Sequence, residues 1–147
     1  MKQFYAMSAK NNVGRIDIYD DIGFFGTSAA KFAKEFSDLE ASCKNIEVHI
    51  SSNGGSMYDG LAIYNRIRQS KIPVTIHIDG LAASSASLIA MAGDETHMAQ
   101  NALLMMHMPH TVTFGGKNDH EAALSALEAA EKAILVAYVN KSGKPED

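Results

Sequence analysis

The chain has one cysteine, three prolines and no tryptophan among 147 residues, and it has no surplus of positive charge. A lone Cys43 excludes an intramolecular disulfide and a cysteine-rich zinc module, and it suits a reducing compartment. Thirteen Lys and Arg stand against 17 Asp and Glu, a formal charge of −4 with no basic cluster, which argues against nucleic acid as the main partner. No stretch approaches the ~18 consecutive apolar residues of a membrane span. The most apolar, residues 81–92, is interrupted by Ser84, Ser85 and Ser87. Residues 1–4, Met-Lys-Gln-Phe, carry one charge and lead into no apolar segment, so they do not read as a secretory signal. The expectation is a cytoplasmic protein with neither a nucleic-acid nor a membrane partner. What is present is ordinary: 46 % apolar and 20 % charged residues. A chain of this size buries about 68–70 % of its unfolded surface, enough for one domain over residues 1–147 without staples.

Hydrophobic periodicity organises the chain. Ile16 and Ile18 alternate with Arg15 and Asp17, as in a half-buried strand. After a turn at Asp20-Asp21-Ile22-Gly23, Thr27 or Ser28 is placed to cap a helix with Phe32, Phe36 and Leu39 on one face. Ile46, Val48 and Ile50 alternate again and run into Ser51-Ser52-Asn53-Gly54-Gly55. Leu61, Tyr64 and Ile67 then recur at helical spacing, with Arg66 and Arg68 toward solvent. Pro73 opens a third strand with Val74, Ile76 and Ile78 inward; Gly80 ends it, and a small-residue helix starts near Ala83. Residues 103–106 read as a short buried strand, and residues 119–139 as a long helix with Leu124, Leu127, Ile134 and Tyr138 toward one side. Three strand-to-helix steps with short connections imply parallel strands joined by right-handed crossovers, an α/β fold. Ligands in such folds sit beyond the carboxyl ends of the strands, where the loops after Ile50 and Ile78 share a rim.

Those two loops hold the chain's unusual residues. Gly54-Gly55 permits positive φ and leaves bare N–H groups at the start of a helix, a corner able to hold an oxyanion or simply to turn the chain tightly. No Lys-Ser/Thr follows, which excludes a P-loop, and Gly-x-Gly-x-x-Gly is absent. In Gly80-Leu81-Ala82-Ala83-Ser84-Ser85-Ala86-Ser87, a serine at the first turn of a helix has an adjacent N–H for an oxyanion; alone, the run also reads as a capped, packed helix. Ala82 and Ala86 exclude the Gly-x-Ser-x-Gly elbow. Of six histidines, His49 and His77 fall in strands between inward positions, facing outward or toward another element, His97, His110 and His120 in or near loops, and His107 at the end of an apolar strand before Met108-Pro109. A histidine held at a strand end suits a general base. His107 and His110 lack a third ligand type at metal-site spacing, so neither metal nor cofactor is expected. Met91, Met98, Met105, Met106 and Met108 cluster around this region, as gap-fillers in a core or as an adaptable apolar surface.

Order and spacing carry more than any single motif. Gly-Gly opens a helix, Gly-x-Ala-Ala-Ser places Ser84 29 residues after Gly55, and an apolar strand ends in His107-x-Pro109. The combination resembles the Clp-type serine peptidases. The runs Asn53-Gly54-Gly55-Ser56-Met57-Tyr58-Asp59-Gly60-Leu61-Ala62-Ile63-Tyr64-Asn65 and Ile78-Asp79-Gly80-Leu81-Ala82-Ala83-Ser84 resemble the phage and prophage branch, whose members are head maturation proteases. The likeness continues through Met91-Ala92-Gly93-Asp94-Glu95 and Asn101-Ala102-Leu103-Leu104-Met105-Met106-His107, and covers about residues 13–147. It implies the Clp/crotonase-like α/β fold of parallel βα (ββα) repeats, with a long C-terminal handle helix. It places the nucleophile on Ser84, the base on His107, and the oxyanion donors on the N–H groups of Gly55 and Ser85. Ser85 and Ser87 are the competing serines.

In the family, an Asp that orients the histidine comes later than any segment matched here. Only Asp119 and Asp147 follow His107, and neither matches that position. The expectation is a chain that ends before the triad Asp. The resemblance further implies a polypeptide substrate bound as an added strand, with Gly54 and the rim at Gly115-Gly116 in contact with it, and a homo-oligomeric ring, stacked in pairs through residues 119–139. An ATPase partner occurs in such a family; no segment before the first strand reads as an axial gating loop for one. A crotonase-type acyl-CoA enzyme shares the fold and its paired N–H groups without needing a serine, and a non-catalytic ring or scaffold protein shares the fold alone.

Overall fold

Residues 5–144 are described in a computed structural model; residues 1–4 of the signal reading, and Asp147, lie outside the described residues. The chain divides into two compact units, Met1–Met106 and His107–Asp147.

The first unit is built on a sheet whose register follows from alternation. Strand β1 (Tyr5–Lys10) pairs antiparallel with β2 (Val13–Ile18), and β2, β3 (Asn45–Ser52) and β4 (Val74–Ala83) are parallel neighbours. Strands β5 (Glu95–Met98) and β6 (Leu103–Met105) both pair parallel with β4, one after the other along its length. Ile16, Val48 and Ile76 sit side by side in this register, as do Ile18, Ile50 and Ile78, and all six are buried. A one-residue slip would turn the whole apolar set to the other face, so the pattern admits one register.

Helix α1 (Ala29–Ser42) covers that face with Phe32, Phe36 and Leu39, the two rings stacking at 5.5 Å. Leu39 packs against Gly14 of β2. Ser28, one of the two residues expected to cap this helix, is its N-cap, accepting from Lys31 N–H. Helix α2 (Met57–Arg68) buries Gly60, Ile63, Tyr64 and Ile67, so the apolar stripe passes through Ile63, with Leu61 only half-buried at its margin. Arg66, expected in solvent, is half-buried instead: it donates to Glu40 at 2.8 Å and lies 4.5 Å over the Phe36 ring. A guanidinium stem covers apolar surface while its head finds a carboxylate. Helix α3 (Ser85–Ala90) is buried throughout.

Strands β4 and β6 depart from the sequence expectation, and β1 was not foreseen. Strand β1 was not legible, because residues 5–10 show no strict alternation of apolar and polar side chains. Gly80 does not end β4, which continues to Ala83. His97 lies near the end of β5 and His120 in the first turn of the long helix, each close to a loop. Strand β6 is exposed, with Leu103 66 % accessible, because its apolar residues lie at an outer edge of the sheet where no further strand or helix of the unit follows. The second unit carries helix α4 (Lys117–Ser142), longer at both ends than its apolar stripe, with Gly143 in the left-handed conformation closing it.

Candidate active site

Strand β4 ends at Ala83 and helix α3 begins at Ser85, so Ser84 is the hinge between them. Its backbone lies at φ 53°, ψ −126°, a region that a residue with a Cβ rarely adopts. Neighbouring contacts hold it there. Ser84 N–H donates to Met105 C=O at 2.9 Å, tying the hinge to the end of β6. Its carbonyl accepts from the Ser87 hydroxyl at 2.6 Å and from Ser87 N–H at 2.9 Å. This strand-to-helix turn presents the side chain at the carboxyl end of the central strand without the flanking glycines of a nucleophile elbow.

The loop after β3 comes to the same place. Gly54 has φ +90° and Gly55 φ +145°, both in the region that favours glycine. A methyl group on Gly54 would meet Ala83 C=O and would lie 2.8 Å from Ser84 Cβ and 3.0 Å from Ser85 N. One on Gly55 would meet Ile22 C=O. The loop is pinned by Ile22 N–H to Gly54 C=O and Ser56 N–H to Ile22 C=O, both 2.8 Å, and by Gly54 N–H to the buried Ser52 hydroxyl at 3.1 Å. Ser52 Oγ in turn donates to Asp20 C=O at 2.7 Å. The N–H groups of Gly55 and Ser85 have no hydrogen-bond acceptor among the described residues. Two unpaired amides in adjoining loops are what a developing oxyanion requires.

Of the predicted site residues, the structure brings Gly54, Gly55, Ser84 and Ser85 together. Ser85 is buried with an unpartnered hydroxyl, and Gly60 packs directly beneath its Cβ, so its side chain is enclosed against α2. Ser87 is fully buried and its hydroxyl is committed to the Ser84 carbonyl. Ser84, half-buried, is the most accessible of the three serines.

His107, Gly115 and Gly116 belong to the second unit. His107 Nδ1 lies 2.7 Å from Met108 C=O, so the proton sits on Nδ1 and Nε2 is the basic nitrogen. Its ring lies 5.2 Å from that of His110. Gly116 caps α4, its N–H donating to Asp119 Oδ2 at 2.7 Å. Asp119 is thereby committed to the first turn of α4, and a carboxylate there is favoured by the helix dipole.

One wall of the site was missed. An open depression of about 450 Å³ beside Gly54 and Gly55 is bounded by Asp21, Ile22, Phe24 and Phe25. The two phenylalanines pack edge to face at 5.2 Å and are 93 % and 88 % exposed. Two adjacent aromatic residues directly after a turn were the available signal; periodicity has no place for them, because they belong to neither face of an element.

Strand β4 thus ends in a serine of strained backbone faced by the Gly54-Gly55 loop, with the Gly55 and Ser85 N–H groups unpaired among the described residues, an arrangement into which an oxyanion fits. The comparisons narrow this. The family model described as Clp protease matches residues 7–147. ATP-dependent Clp protease proteolytic subunit 1 of Salinibacter ruber is 29 % identical over 114 residues, 76 % of this chain and 49 % of that protein. The ATP-dependent Clp protease proteolytic subunit of Leuconostoc citreum is 36 % identical over 93 residues, 62 % of this chain and 46 % of that one. The chain thus spans about half the length of the curated relatives it matches. A solved ClpP1 point mutant from Listeria monocytogenes superposes with a TM-score of 0.78 at 21 % identity, over 90 % of this chain and 74 % of that one. The chain belongs to the Clp protease family, and its mixed sheet and C-terminal helix follow the fold of that family.

Proposed function

We propose that the protein is a serine endopeptidase in which Ser84 is the nucleophile, His107 the general base, and the Gly55 and Ser85 N–H groups the oxyanion hole. The observation that carries this reading is Ser84 itself: a non-glycine residue at φ 53° pressed against Gly54, with unpaired amides on both sides. Backbone strain of this kind persists where function requires a group to be aimed. His107 follows Met105, whose carbonyl anchors Ser84, by two positions in the chain.

In this mechanism His107 Nε2 takes the Ser84 hydroxyl proton as Oγ attacks the peptide carbonyl, and the oxyanion accepts from Gly55 and Ser85. His107 then gives the proton to the leaving amine, leaving an acyl-Ser84 that water hydrolyses by the same route in reverse. The Met108 carbonyl holds the tautomer that such a base needs. The depression beside Phe24 and Phe25 takes an apolar side chain of a polypeptide substrate, and the rim at Gly115 and Gly116 borders the extended chain. The finer assignment is a cytoplasmic head maturation protease acting on capsid or scaffold polypeptide, and it rests on the runs 53–65 and 78–84.

A fluorophosphonate probe applied to the full-length gene product tests the chemistry. Labelling is expected in the parent protein and in Ser85→Ala, which retains its N–H, and is expected to vanish in Ser84→Ala. His107→Ala is expected to slow labelling by about 10²-fold or more. Equal labelling of Ser84→Ala overturns the assignment, and thioester hydrolysis surviving in Ser84→Ala without peptidase activity selects the acyl-CoA reading.

A further inference from the structure

The face of the sheet turned away from helices α1 to α3 carries a second set of reactive groups, independent of the peptidase reading. Because β3, β4 and β5 run parallel in register, His49 stands beside His77 and His77 beside His97. The rings of His49 and His77 stack at 4.6 Å and 11°. Glu47 is two residues before His49 on the same strand and so shares its face. His77 precedes Ser84 by seven residues, roughly 20 Å along an extended strand, so the two clusters are separate.

One ligating atom from each of Glu47, His49 and His77 lies within 4.8 Å of the other two, and Glu47 Oε2 is 3.9 Å from His49 Nε2. Two further observations point to a ligand. The Nε2 atoms of both His49 and His77 are buried without a hydrogen-bond partner, a condition proteins rarely tolerate. On the other side of its ring, His49 Nδ1 lies 2.7 Å from Asp79 Oδ2, and Asp79 also accepts from the Tyr19 hydroxyl at 2.5 Å. A carboxylate holding the proton on Nδ1 leaves the Nε2 lone pair available, which is how metal-bound imidazoles are backed.

We propose that Glu47, His49 and His77 bind one divalent transition-metal cation of the zinc class, with Asp79 and Tyr19 as the supporting shell. Two imidazole nitrogens and one carboxylate oxygen match a tetrahedral zinc site with water at the fourth position. Magnesium and calcium, which take oxygen ligands, are disfavoured by two nitrogens in three donors. Bonds of ~2.0–2.2 Å place tetrahedral ligand atoms about 3.3–3.6 Å apart, so the cluster closes by at most about 1.5 Å on binding. Glu47, 38 % exposed in its side chain, has room to rotate inward, and the two stacked rings must tilt so that their nitrogen lone pairs converge. Burial, and then the neighbouring His49, hold His77 below the ordinary histidine value and so uncharged. Against the opposing effect of burial, the bonds from Tyr19 and His49 hold the Asp79 carboxyl below the usual aspartate value.

The test uses the full untagged chain, stripped with chelator and titrated with zinc chloride alone by calorimetry at neutral pH. One ion per chain is expected. Binding should fall at least ~10–100-fold in His49→Gln, His77→Gln and Asp79→Asn, the last acting only through His49. His110→Gln, in the other histidine pair, should bind as the parent does. Circular dichroism checks that each variant folds. Independently of any variant, cobalt(II) added to the parent should give the visible absorption of a four-coordinate nitrogen and oxygen site, and zinc should displace it. Absence of binding at millimolar zinc, parental affinity in His77→Gln, or loss of binding in His110→Gln overturns the proposal. None of these outcomes touches Ser84, so the peptidase reading stands or falls separately.

Discussion

Gly54 shows how one absent side chain shapes this site. A methyl group there would meet Ala83 C=O and would fall 2.8 Å from Ser84 Cβ, while φ +90° disfavours any side chain whatever the space. Gly54→Ala is therefore expected to push the β3 loop away from Ser84. Stability should fall by about 1–3 kcal/mol, read from urea melts, and fluorophosphonate labelling should fall with it. A variant with parental stability and labelling would show that the loop and the serine turn are not coupled. Ser85 carries the opposite lesson. Its side chain is enclosed against Gly60, and the group the proposed oxyanion hole uses is its backbone N–H, which no substitution short of proline removes.

At the scale of elements, the helices are joined through their first turns. Ser56 Oγ caps α2 by accepting from Asp59 N–H at 3.2 Å. Asp59 Oδ1 reaches across to accept from Ala29 N–H at 2.8 Å, at the start of α1. One carboxylate thus sits at two helix N-termini, where unpaired N–H groups and the dipole both favour it. Asp59→Ala should lose about 0.5–2 kcal/mol, the usual worth of a cap, measured by urea unfolding, and Asp59→Asn should recover part of it. A loss below a few tenths would mean that water replaces the carboxylate at both ends. Strand β6 is the other informative element, since its sequence reads as core while its surroundings leave it at an edge. An exposed apolar edge is a place for another strand to add, in keeping with the proposed binding of an extended substrate.

Across the whole molecule, apolar side chains remain uncovered in both units: Leu103 and Met106 in the first, Leu124 and Val136 in the second. Such residues are normal singly but call for a partner when they recur along a strand and a long helix. The proposed ring supplies one. Light scattering on the full-length gene product should give the mass of a multi-subunit ring, and the double variant Leu124→Glu, Val136→Glu should lower that mass without changing the circular dichroism of the chain. A monomer at every concentration tested would remove the ring from the account and leave the exposed face of α4 unexplained.

Much of this protein is determined by its sequence alone. Strict alternation in β2, β3 and the first half of β4 sets which face is buried, and the 3.6-residue spacing of Phe32, Phe36 and Leu39 does the same for α1, because burial acts on every repeat of a regular pattern. The order of Gly54-Gly55, Ser84 and His107 is a linear property and is likewise legible. Tertiary structure decided what depends on neighbours distant in the chain. Strand β1 forms because β2 offers it an edge, and β6 is exposed because it lies at the margin of its sheet, beside β4 alone among the described strands. Arg66 is drawn in by Glu40 and Phe36, 26 and 30 residues away. The scarcity of cysteine excludes a cysteine-rich metal site, and composition reaches no further. Only the pairing of β3 with β4 brings His49, His77 and Glu47 to one place, because register between strands is written in no local stretch of the chain.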